Sequence, residues 1–127
     1  MFQATEAPFS PEAVIDLVQR ADNGAIVAFV GTLRPVSSDG SRVLYAECDS
    51  DREPAEQHLR DVGDEVRARW GLGEVAIWHR TGRIEVGETI SVVAVGAPHR
   101  QAAFEACQYA IDRVKQGIPL REVLGQP

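Results

Sequence analysis

His79-Arg-Thr-Gly-Arg-Ile-Glu-Val-Gly-Glu-Thr-Ile-Ser-Val-Val-Ala-Val-Gly-Ala-Pro-His-Arg100 is the stretch whose reading decides the fold. Its second half, Glu88 to Ala97, is rich in β-branched residues and reads as a buried strand. Pro98 then opens a helix, where its missing N–H costs nothing. From there Ala103, Ala106, Cys107, Ala110, Ile111 and Val114 recur at helical spacing, while Gln101, Glu105, Gln108 and Asp112 form the polar face. Gly117-Ile-Pro119 stops that helix. Upstream, Val75 to Arg80 reads as another strand, and Thr81 to Gly87 as an excursion joining the two strands.

Further towards the start, Gly24 to Leu33 (GAIVAFVGTL) reads as a central strand and Val43 to about Asp49 as a second. Between them Pro35 to Gly40 is a polar loop, expected to be mobile. Ser10-Pro11-Glu12 has the cap, proline and early acid of a helix start, and Val14, Leu17, Val18 and Ala21 supply its stripe up to Asn23-Gly24. From Pro54 to Trp70, Leu59, Val62, Val66 and Trp70 repeat at helical spacing. Gly63 inside this helix either weakens it by about 1 kcal/mol or admits another element closely. The order helix, strand, strand, helix, strand, strand, helix predicts an α+β fold, with helices on one face of a mostly antiparallel sheet.

With 127 residues the chain fits one domain, residues 1–127, and carries its own core. Its 13 Lys and Arg against 19 Asp and Glu give a net charge of -6, which argues against a general nucleic-acid binder. No apolar run reaches the ~18 residues of a membrane helix, and no secretory leader pattern is present. Two cysteines without a CxxC spacing fit a reducing compartment, so the expected location is cytoplasmic.

Chemistry concentrates at a few points. Pro98-His99-Arg100 sits where a strand turns into a helix, so free first-turn amides, an imidazole and a guanidinium meet either as an anion site or as an ordinary solvent-exposed helix start. Arg34 follows a strand end, well placed for a ligand or simply a surface residue. Lys115 closes the last helix, where the dipole alone favours a cation. His79 shares a face with Val75 and Ile77 and reads as a core or edge histidine, with Trp78 on the opposite face. His58 reads as exposed, and Cys48 and Cys107 as buried small hydrophobes rather than nucleophiles. The glycine spacings match no phosphate-binding or dinucleotide pattern.

Three segments together, 24–34, 79–100 and Ala-Ala-Phe-Glu-Ala-Cys-Gln-Tyr-Ala-Ile-Asp-Arg-Val-Lys (102–115), resemble the large, catalytic subunit of molybdopterin synthase. The resemblance implies a two-layer α/β hammerhead-type fold and a homodimer. Each large subunit of the family binds a small ubiquitin-like sulfur carrier ending in a Gly-Gly thiocarboxylate, giving a heterotetramer, and sulfur passes to cyclic pyranopterin monophosphate. On this resemblance Lys115, His99 and Arg34 are the catalytic residues, and Arg34, His99, Arg100, Lys115 and Arg121 bind substrate. No cofactor, metal, nucleic acid or membrane is implied.

The end of the chain departs from the family pattern. Where the family carries Trp-Lys after a proline, this chain has Arg121-Glu122, and the family's further tail is expected to be absent beyond Pro127. Glu122 separates two expectations: an active sulfur-transferring synthase subunit, or a non-catalytic paralogue that binds the carrier or a pterin or phosphate ligand in a structural or regulatory role.

Overall fold

A computed structural model describes residues 1–125. The elements in chain order are β1 (Phe2–Thr5), α1 (Pro11–Asp16), β2 (Ala25–Thr32), β3 (Val43–Cys48) and α2 (Arg52–Trp70), followed by β4 (Glu74–Arg80), β5 (Gly82–Glu85), β6 (Thr89–Ala97), α3 (Arg100–Gly117) and β7 (Arg121–Leu124). The strands form two sheets. One has the order β1-β4-β6-β2 and the other β5-β3-β7. Only the β1–β4 pair is parallel, so the fold is α+β with mostly antiparallel strands, as expected.

The period-two pleat of β4 and β6 builds two cores at once. Val75 and Ile77 of β4, with Val93, Val95 and Ala97 of β6, face α2 and α3. Ala76 of β4 and Val92 and Ala94 of β6 face the other way, onto Val14 and Val18. The expectation that helices cover one face is therefore corrected: α2 and α3 cover one side, and α1 packs on the opposite side. Strands so apolar on both faces need cover on both. Trp78 sits on the α1 side, its ring edge-on to Phe9 at 5.3 Å between centroids.

Three strands lie outside the sequence expectation. β5 occupies part of the 81–87 excursion, while β1 and β7 are edge strands of their sheets; β2, expected to be central, is corrected to the other edge of the four-stranded sheet, because only β6 pairs with it. Around β3, Leu33, Val43, Ala46 and Ile84 make a third small core with Ile90 against it. The first helix is shorter than its stripe, because Leu17 and Val18 continue as a hydrogen-bonded turn.

Gly63 takes the close-approach role. A Cβ there would collide with the ring of Phe2, so β1 lies against α2 where the helix offers no side chain. The 35–42 loop makes its own turn: Ser37 N–H donates to the Ser41 carbonyl at 2.8 Å, and Gly40 adopts φ +89. Asp39 accepts from the Ser37 hydroxyl and the Ser41 amide, which lowers its carboxyl to about 2.

Candidate functional site

A cavity of about 430 Å³ opens between the end of β2, the first half of β6 and the C-terminal turns of α3. Phe29, Ile90, Val93, Ile111, Val114 and Ile118 make its walls apolar, while Gly31, Thr32 and Ser91 line the strand side. Arg34 and Lys115 are exposed and share its lining, and among the described residues no carboxylate contributes. In a chain of net charge -6 this is a local cationic mouth over an apolar floor, suited to an anionic ligand with an apolar part.

Folding fixes the two cations differently. Lys115 rides the last turn of α3, where its charge also complements the helix dipole. Arg34 stands one residue beyond a clasp. Leu33 N–H donates to the Glu88 carbonyl at 3.1 Å, and Gly87 N–H donates back to the Leu33 carbonyl at 2.9 Å. On its other side, Val43 N–H donates to the Pro35 carbonyl at 2.8 Å.

Arg80 reinforces the clasp. Its guanidinium is 4% exposed, donates to the Arg83 carbonyl at 3.1 Å and lies 3.5 Å from Glu88 Oε1. The same Glu88 oxygen accepts the Glu85 amide at 2.7 Å, which holds the 85–88 turn.

His79 is the lining residue whose sequence reading pointed elsewhere. It is buried, as its shared face with Val75 and Ile77 implies, but it stands at the polar end of that face and borders the cavity. Its Nδ1 lies 2.6 Å from the Arg80 carbonyl oxygen. Burial pushes its pKa below the usual histidine value of 6.5, opposed in part by that hydrogen bond, and nearby His58 adds to the lowering. The sequence signal was available: a histidine one residue from the end of an apolar strand face.

The remaining candidates lie elsewhere. His99 and Arg100 start α3, exposed and with no side chain capping the helix. Lys115 is 16 residues further along the same helix, or about 24 Å at 1.5 Å per residue, so the His-Arg pair cannot enter this cavity within one chain. Arg121 is on β7 opposite Glu47, and its guanidinium is ion-paired to that carboxylate. Glu122 pairs with Ala46 in the same ladder, and of this segment Leu120 lines the cavity.

His58, expected to be exposed, is half-buried: its ring covers Gly117 and its Nε2 donates to the Arg113 carbonyl at 2.8 Å. Both cysteines are buried as expected, and burial raises the Cys107 thiol to about 11.

Fold and cavity together define a small α+β domain with a cation-rimmed cleft beneath a helix C-terminus. The sequence profile of the MoaE protein family matches residues 4–117, and the chain belongs to that family. The match ends just before the segment carrying Arg121 and Glu122. The molybdopterin synthase catalytic subunit of Bacillus subtilis (strain 168) is 39% identical over 119 residues, covering 94% of this chain and 75% of that protein. Its counterpart in Halalkalibacterium halodurans is 40% identical over 119 residues, covering 94% and 76%. The crystal structure of molybdopterin synthase from Staphylococcus aureus superposes with a TM-score of 0.89 at 29% identity, covering 99% of this chain and 93% of that one.

Proposed function

We propose that this chain is a sulfur-transferring synthase subunit, taking sulfur from a thiocarboxylated Gly-Gly terminus of a small carrier protein and passing it to cyclic pyranopterin monophosphate. The observation that carries this reading is the carboxylate-free cavity edged by Arg34 and Lys115. A thiocarboxylate and a phosphate are both anions, and a fused pterin ring suits apolar walls. The cysteines agree: both are buried, and the raised Cys107 thiol is a poor nucleophile, so sulfur has to arrive on another molecule.

Arg34 binds the phosphate or pterin in this reading, and Lys115 supplies the amine for proton handling next to it. His99 and Arg100 join from a second copy. β2 is one of the two edges of the larger sheet and exposes Ile26 and Val30, with Phe104 of α3 61% exposed nearby. A two-fold axis across this edge runs β2 against its mate antiparallel. Ala25, paired to Ala97 just before His99, then lies beside the partner's Thr32 end, where Arg34 and the cavity stand. Arg121 lies beyond Leu120 at the rim and meets substrate only on leaving Glu47.

The test is direct. Purified protein, cognate thiocarboxylated carrier and cyclic pyranopterin monophosphate are combined, and dithiolene product is measured. Product well above that of Lys115→Ala is the expected result; equal, background-level product from both would sink the reading. A second reading, a carrier-binding paralogue without turnover, draws on the Arg121–Glu47 pair and on Glu122 where the family pattern has a lysine. Tight carrier binding with no product would favour it.

A further inference from the structure

Resting on the synthase reading, we propose that His79 is the general base of the sulfur-releasing step, its Nε2 taking a proton from the water that frees sulfur from the carrier.

The geometry fixes what His79 can do. A carbonyl oxygen only accepts, so at 2.6 Å from the Arg80 oxygen the Nδ1 atom carries the ring proton. Nε2 therefore keeps its lone pair, and it has no hydrogen-bond partner among the described residues. The residue is 5% exposed, yet it borders the same cavity as Arg34 and Lys115. Burial disfavours the imidazolium, so the neutral, proton-accepting form is the resting one. Among the described residues no carboxylate lines the cavity, the other titratable side chains there are the two cationic residues, and Ser91 adds a hydroxyl. His79 is thus the neutral nitrogen base of the cavity.

Atom balance calls for such a base. The carrier arrives as an acyl thiocarboxylate and leaves as a carboxylate, so its lost sulfur is replaced by a water oxygen. The thiocarboxylate sulfur bonds to a substrate carbon as a C–O bond there breaks, the electron pair leaving on oxygen, and the adduct is acyl–S–C. Water gives a proton to Nε2 as its oxygen bonds to the acyl carbon. The acyl C–S bond breaks, leaving its electron pair on sulfur. The imidazolium returns the proton to that thiolate, and the new carboxylic acid ionises to solvent. No oxidant or reductant enters.

The groups around the ring are Arg34 beyond β2, Lys115 on α3, His58 on α2, and Glu56 of α2, which accepts the Ala4 amide beside the strand position paired to His79. β6 contributes the uncharged Ser91.

The test follows single turnovers of the full chain with thiocarboxylated carrier and cyclic pyranopterin monophosphate by intact-protein mass spectrometry. In His79→Gln the carrier–substrate adduct is expected to accumulate and its hydrolysis to slow by about a hundredfold. The wild-type hydrolysis rate falls as pH drops through the imidazole titration, and the variant lacks this limb. Hydrolysis within twofold of wild type, or equal slowing of both steps without adduct, overturns the assignment. A measurement on the unaltered protein guards against a misfolded variant: ¹⁵N spectra at neutral pH should show His79 protonated at Nδ1 alone, and an Nε2–H tautomer overturns the inference. If the wild type itself makes no product, the synthase reading fails and takes this step with it. Wild-type product with an unaffected variant rejects His79 alone.

Discussion

Mixing two inactive variants tests where the site is assembled. His99 and Lys115 are at opposite ends of α3, about 24 Å apart along its axis, too far for one substrate to touch both in one chain. If both act on the same substrate, each complete site takes them from different copies. His99→Ala and Lys115→Ala dimers should then each be inactive. After co-refolding at equal ratio, half the dimers are mixed, and each mixed dimer holds one intact site and one with both lesions. Activity should recover to about one quarter of wild type per chain. The assay is dithiolene formation before and after refolding, with a Lys115→Ala plus Arg34→Ala mixture as control. Those two residues line one cavity in one chain, so every site in that mixture keeps a lesion and no activity returns. Recovery in the control, or none in the His99 mixture while His99→Ala alone is inactive, would refute the shared site.

Further outcomes follow from particular contacts. Gly63→Ala drives a methyl into the Phe2 ring and should destabilise the chain by roughly 1–3 kcal/mol in urea unfolding, part of which Phe2→Ala relieves in the double variant. An unchanged midpoint would mean β1 does not lie on α2. The native protein at pH 8 should leave Cys48 and Cys107 unmodified by a thiol reagent until urea is added, because both are buried and the Cys107 thiol is raised to about 11. His79 titrates below 6.5 when folded, so between that value and 6.5 the unfolded chain binds the extra proton; its contribution to stability is complete above 6.5 and shrinks as pH falls below it. Unfolding free energies at pH 5 and 7.5 should differ less in His79→Gln than in wild type. Arg121→Gln should cost at most about 1 kcal/mol, since the Arg121–Glu47 pair is largely exposed, and a larger loss would show that β7 depends on it.

The elements legible in the sequence are those whose side chains alone dictate an environment. β6 is a continuous apolar run, and α2 and α3 carry full stripes, so each announces its own burial, whereas β2 is just as apolar yet lies at a sheet edge with one face open. β1, β5 and β7 are four residues each, with mixed polarity, and exist because partners far along the chain supply their hydrogen bonds. A helical stripe also shows that a face is buried, but not on which side of a sheet, which is why α1 fell on the unexpected side.

The site divides the same way. Arg34 and Lys115 were found as cations at element ends, which needs only local reading. The separation of His99 from Lys115 becomes visible once a single helix is seen to hold both. His79 was placed correctly in the core, yet its contact with the cavity depends on where α3 ends above it.

The clasp around Arg34 bears on how a ligand is selected. The backbone is tied at Leu33 and again at Pro35, and Arg80 holds the turn that ties it. An anion binding here has little loop entropy to remove: it immobilises one long side chain, at about 0.5–1.5 kcal/mol, rather than a segment. Discrimination then rests on how well a molecule fits a fixed frame, and a near-miss ligand gains nothing from the loop adjusting to it.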